Sequence, residues 1–141
     1  MLLRIEYFIK YMIGKCFCCQ GIVRGASLVG HFQNCAKNSI LVFVTSGEYW
    51  LMLRCSSNVR MVDIDATLKD IWLNCCAHLS VIYAEPDSTV YQNLGKTIKH
   101  EYDMGDTTYS VIKIINCLVS PIESEVAVIE VIGQNSLPKS G

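Results

Sequence analysis

Cys16 and Cys19 stand three positions apart, and His31 and Cys35 stand four apart, giving the spacing C-x2-C-x11-H-x3-C. A C-x2-C knuckle lets two thiolates reach one ion from a tight turn. Positions i and i+4 share one face of a helix, so an imidazole and a thiolate can converge on the same centre. The spacing lies one residue from that of Cys/His zinc fingers. Three thiolates and one imidazole make a closed tetrahedral set. That set suits structural Zn2+ and leaves no coordination position for a hydrolytic water. Cys18 lies inside the knuckle and could replace Cys19 as the ligand. Redox chemistry at Cys16 and Cys19 is the weaker reading. A thioredoxin-type pair needs a strand before it and a helix directly after it, whereas "QGIVRGAS", with two glycines, reads as a loop.

Other side chains could carry chemistry. His78, at the end of "WLNCCAHLS", could meet Asp103 or Asp106 across the fold as an acid/base pair or a weak metal site. Against this, His78 suits a helix C-terminus, where a cation meets the negative dipole. Asp103 and Asp106 flank Gly105, a turn in which both can bond local amides. "NLGKT" (93–97) is a fragment of a phosphate loop. The full motif needs a glycine five positions before Gly95, and Val90 stands there, so nucleotide binding is rejected. For nucleic acid, Lys15, Arg24 and Lys37 surround the cysteine unit. Its helix would present Ser27, Gly30, Gln33 and Asn34, and Gln and Asn can read adenine. One finger with so few cations favours a structural clip packed on the body.

Residues 1–14 read as a short helix or strand and 15–38 as the Cys/His unit. "SILVFVT" (39–45) and "YWLMLRC" (49–55) read as a hairpin around Ser46 and Gly47. "NVRMVDI" (58–64) reads as a further strand. A helix capped by Asp65 or Thr67 then carries Leu68, Ile71, Trp72, Cys75 and Leu79 on one face. "AEPDST" (84–89) is a loop, "TIKHEYD" and "TYSVIKIINCLV" form a second hairpin, and "EVAVIEVIG" is a final strand before a frayed tail. Strands outnumber helices without regular alternation. The fold class expected is α+β, with a largely antiparallel sheet and few helices, preceded by a small N-terminal Cys/His zinc finger. The division expected is 1–38, holding the finger at 15–38, and 39–141.

Composition sets the outer bounds. The chain has 141 residues, 51% hydrophobic and 18% charged, with a formal net charge of −1. That balance folds. It is not that of a strongly basic nucleic-acid binder. The opening "MLLRIEYFIKYMIG" is broken by Arg4, Glu6 and Lys10 and lacks a cleavage site. "SILVFVTSGEYWLML" is too short and too interrupted to span a membrane. With eight cysteines, the expectation is a reducing, cytoplasmic setting where cysteines serve as ligands or buried hydrophobes.

Two later motifs, "TLKDIWLNCCAHLS" (67–80) and "HEYDMGDTTYSVIKI" (100–114), together with the cysteine unit, resemble the plasmid pRiA4b ORF-3-like family, also called IS1096 passenger-protein-like. The likeness is to its zinc-finger-bearing branch. That branch pairs a C-x2-C…R-G…H-x3-C finger with a W-L-x-C-C-x-H-L-S helix end and a Y-x-Y-D-x-G-x-T-T hairpin. Arg24-Gly25 matches the finger's interior. The resemblance covers most of residues 15–132 and implies a metal-binding α+β protein without implying a reaction. Three departures stand out. An L-D-x-F-L-R-like insert between "TLKD" and "IWL" is missing, which shortens the helix by about seven residues, nearly two turns, and keeps its apolar face in phase. The second cysteine-rich ribbon common after the final strand is missing, so a second zinc is not implied. Ala77 and Met104 replace a glycine and a phenylalanine. The function expected is a zinc-binding, non-catalytic binding or structural protein of ill-defined role, with a protein or a nucleic acid as the candidate partner and no membrane. The alternative is an enzyme using His78 with Asp103 or Asp106.

Overall fold

The computed structural model describes residues 12–72, 80–103, 107–119 and 126–135. Within them, eight strands form one sheet: β1 (Ile13–Cys16), β2 (Ile22–Arg24), β3 (Ser39–Ser46), β4 (Tyr49–Cys55), β5 (Ser80–Ile82), β6 (Thr97–Asp103), β7 (Thr107–Cys117) and β8 (Ile129–Asn135). Their order across the sheet is β2-β1-β8-β4-β3-β7-β6-β5, and every described pairing is antiparallel. Two helices join them, α1 (Leu28–Cys35) and α2 (Met61–Trp72). The architecture is α+β and mostly antiparallel.

The centre of the sheet is buried on both faces. β3, SILVFVTS, is buried along its whole length, as a strand covered from both sides must be. Successive side chains alternate between the faces. Ile40, Val42 and Val44 therefore join Leu51, Leu53, Met61, Ile64, Leu68 and Ile112 in the core under α2. Leu41 and Phe43 join Trp50, Met52, Leu28, Phe32 and Ile132 in a second core under α1. The β1–β2 hairpin is continuous with this sheet, because β1 pairs with β8 through Gly14, Lys15 and Cys16. The hairpin and α1 thus share a core with the body.

Two local expectations are corrected. "NVRMVDI" is not a strand. Val59 closes a turn, and α2 begins at Met61, ahead of both expected caps. The Asp63 carboxylate accepts the backbone N–H of Arg60 at 3.0 Å, which satisfies a donor at the helix start. Thr67 lies inside the helix and donates its hydroxyl to the Asp63 carbonyl at 2.8 Å, the back-bond open to threonine in a helix. Met61, Ile64, Leu68 and Trp72 form the buried face; Cys75 and Leu79 lie outside the described residues. "QGIVRGAS" is not wholly a loop, since Ile22–Arg24 pair with β1.

Candidate metal centre

Three elements deliver four donor atoms. Cys16 ends β1, where the alternation of the strand turns it inward, and it is fully buried. The chain then reverses over residues 17–20. Gln20 adopts φ 64° and its side-chain amide donates to the Phe17 carbonyl at 2.9 Å. The reversal is closed by the Cys16 N–H donating to the Gly21 carbonyl at 2.9 Å. It brings Cys19 back beside Cys16, and the Gly21 N–H points at the Cys19 sulfur at 3.4 Å. An N–H aimed at sulfur stabilises a thiolate.

The other two donors come from α1. Leu28 and Phe32 are its buried residues, and they set the helix's rotation on the sheet. Phe32 packs edge-on to Trp50, with ring centroids 5.8 Å apart, in the favoured geometry for aromatic pairs. The Phe32 ring also occupies the space that a Cβ on Gly133 would need. Gly133 lies directly across from Cys16 in the sheet, so a bare glycine there is what lets α1 sit close to β1. With Leu28 and Phe32 held down, His31 and Cys35 face the knuckle from one side of the helix.

The result is one cluster: the ligand atoms of Cys16, Cys19, His31 and Cys35 all lie within 4.8 Å of one another. His31 Nε2 is 3.4 Å from the Cys19 sulfur and 3.4 Å from the Cys35 sulfur. A tetrahedral ion with bonds of about 2.3 Å to sulfur and about 2.0–2.1 Å to nitrogen sets S···N edges of about 3.6 Å. A single ring nitrogen carries one proton or one lone pair. Two equidistant sulfurs are therefore better matched to a shared ion than to a hydrogen bond. The donor set fits a divalent metal of borderline softness.

The local electrostatics point the same way. Burial raises the Cys16 thiol, but hydrogen bonds from the Cys19 amide, His31 and the Cys18 amide outweigh it and lower its pKa to about 7. Burial, followed by the crowding of Cys16 and Cys19, raises Cys35 to about 11. Like charges at one point disfavour full ionisation, and a dication removes that penalty. Cys18 is exposed and lies outside the four-donor cluster. Its thiol is raised, first by burial and then by the neighbouring Cys16. Geometry therefore selects Cys19 over Cys18. Cys55 is a core thiol pushed by burial to about 12.

His78 and Asp106 lie outside the described residues. So do Ala77, Met104 and the vicinal cysteines. Asp103 ends β6, where its backbone pairs with Thr107. "NLGKT" forms the end of a short 3-10 turn at Tyr91–Asn93 and a left-handed turn at Gly95, φ 79°, leading into β6. On α1, Gly30, Gln33 and Asn34 are exposed, as is Ser27 before it. Lys15 and Arg24, however, lie on the opposite face of the hairpin from α1. Those two cations and the helix's polar residues do not share one surface.

Sequence reasoning missed one polar cluster. His100, 1% exposed, places Nε2 2.7 Å from Asp65 Oδ1, and the Ser80 hydroxyl donates to the same carboxylate at 2.8 Å. His100 Nδ1 has no hydrogen-bond partner among the described residues. The trio fastens α2 to β5 and β6. The alternation of "TIKHEYD" places His100 on the inner face with Ile98, a signal available in the sequence. Its partner, 35 positions away, was not. A surface cleft of about 490 Å³ beside Tyr83, Ser88, Gln92, Asn93 and Lys96 includes none of the three.

No helix among the described residues is long and apolar enough to cross a membrane. No family model, curated protein or solved structure matches the chain.

Proposed function

We propose that this protein is a zinc-binding, non-catalytic interaction module in which Cys16, Cys19, His31 and Cys35 hold one Zn2+ and so fix the β1–β2 hairpin against α1. The observation that carries the reading is the convergence of three sulfurs and one imidazole nitrogen within 4.8 Å, delivered by a hairpin and a helix as in a ββα finger. Four protein donors close a tetrahedral shell, so the ion's contribution is to folding. In finger peptides that contribution is about 10–16 kcal/mol at neutral pH. Membership of the zinc-finger-bearing branch of the pRiA4b ORF-3-like family belongs to the same proposal, supported by the finger spacing and the "HEYDMGDTTY" motif, as does a reducing, cytoplasmic setting.

Metal analysis of the purified chain tests this reading. About one zinc per chain is expected, with loss of stoichiometric metal in a His31→Ala, Cys35→Ala double variant. Unchanged metal content in that variant overturns it.

A further inference from the structure

We infer that the outer edge of the β1–β2 hairpin is a docking site for an extended peptide that carries aliphatic and acidic residues in turn along one face and adds to the sheet as a strand beside β2. The inference rests on the zinc reading in one respect: the metal holds the turn at the hairpin's end.

The first observation is an edge left unpaired among the described residues, where β2 is the last strand on its side of the sheet. In an antiparallel pair, residues that exchange hydrogen bonds alternate with residues whose backbone groups point outward. The Gly25 N–H donates to the Met12 carbonyl and the Cys16 N–H to the Gly21 carbonyl, each at 2.9 Å. Gly14 and Val23, opposite each other midway between those bonds, are therefore the inward pair. The N–H groups of Ile22 and Arg24 and the Ile22 carbonyl point to the open side. The Arg24 carbonyl already accepts the Ser27 hydroxyl at 3.0 Å.

The second observation is the surface beside that edge. Ile13 faces Arg24, and Lys15 faces Ile22. All four project from the face opposite α1. Ile13 is 41% and Ile22 67% exposed. No acidic residue occurs between Met12 and Gly47, while Lys15 and Arg24 stand on this face. Neither Lys15 nor Arg24 has an ion pair among the described residues. In a chain of net charge −1, the cationic charge of this stretch calls for an anionic partner. Two exposed isoleucines add an apolar requirement that a phosphate backbone does not meet. Bare backbone donors add a strand-pairing one. In symmetric antiparallel pairing about Val23, a second copy of β2 would set Arg24 against Ile22 and supply no anion to either cation.

An added strand places a carboxylate beside Arg24 and an aliphatic side chain beside Ile22, two residues apart on one face. The test uses the zinc-loaded full chain and the fluorescein-labelled peptide Thr-Val-Thr-Glu-Thr-Val-Thr-Glu-Thr, read by anisotropy. Saturable binding is expected. It should weaken about tenfold or more when lysine replaces glutamate in the peptide and in an Arg24→Glu chain, because like charges are then juxtaposed. Ile22→Pro removes an edge N–H and should abolish binding. Zinc content is measured in every sample. Full zinc without peptide binding overturns this inference and leaves the metal reading standing; peptide binding without zinc does the reverse. Binding indifferent to both substitutions overturns the inference. So does preference for a twelve-residue oligothymidine or for phosphatidylserine vesicles, or concentration-dependent dimerisation blocked by Ile22→Pro.

Discussion

Cys19 and His31 are twelve positions apart in the chain, yet the sulfur of one lies 3.4 Å from Nε2 of the other. One residue sits in a hairpin turn and the other in a helix. Their meeting depends on the packing that brings the two elements together.

Phe32→Ala should destabilise the fold by about 3–5 kcal/mol in urea unfolding, the usual cost of emptying a large aromatic site. Phe32 is fully buried against Trp50 and positions both His31 and Cys35. The same variant should therefore bind zinc more weakly, although no ligand has changed. Gly133→Val should have the same two effects, since its side chain would claim the space of the Phe32 ring.

The two adjacent cysteines of the knuckle should behave differently. Cys18→Ser should retain full zinc content, because Cys18 lies outside the donor cluster, and Cys19→Ser should lose it. Cobalt substitution checks this by its thiolate charge-transfer absorption, which should persist in the first variant and fall in the second.

Zinc affinity should fall as pH falls. The ion takes thiolates, so each protonated thiol must release its proton on binding. Cys35, raised to about 11, releases one throughout the neutral range. Cys16, lowered to about 7, is already ionised above that pH and adds a second released proton below it. The slope of log affinity against pH should therefore steepen below about pH 7, by about one power of ten per pH unit. Competition with a chromophoric chelator across that range measures it.

Asp65→Ala should cost about 1–3 kcal/mol, because it leaves the buried His100 Nε2 and the Ser80 hydroxyl without their shared acceptor. Zinc content should not change. A loss of metal in this variant would show that the α2 side of the sheet controls the centre.

The four-donor cluster was legible in the sequence because its two halves are local: a turn fixes Cys16 to Cys19, and one helical repeat fixes His31 to Cys35. The antiparallel hairpin of β3 and β4 was legible from unbroken apolar runs around a glycine turn. β2 was not. It is three residues long, between Gly21 and Gly25, and its pairing with β1 supplies the order that its own sequence does not. The start of α2 was obscured because Val59 and Met61 are both buried with a two-residue period that mimics a strand. The deciding signal is the Asp63 carboxylate on the Arg60 amide. The Asp65–His100 contact depends on tertiary register and has no local signature.

X-ray absorption at the zinc K-edge of the purified full chain reads the donor set itself. A first shell of three sulfurs at about 2.3 Å and one nitrogen at about 2.0–2.1 Å is expected, with the nitrogen lost in His31→Ala. A shell of oxygen and nitrogen only, or a chain that holds no stoichiometric zinc after loading under reducing conditions, would rule the four-donor zinc site out.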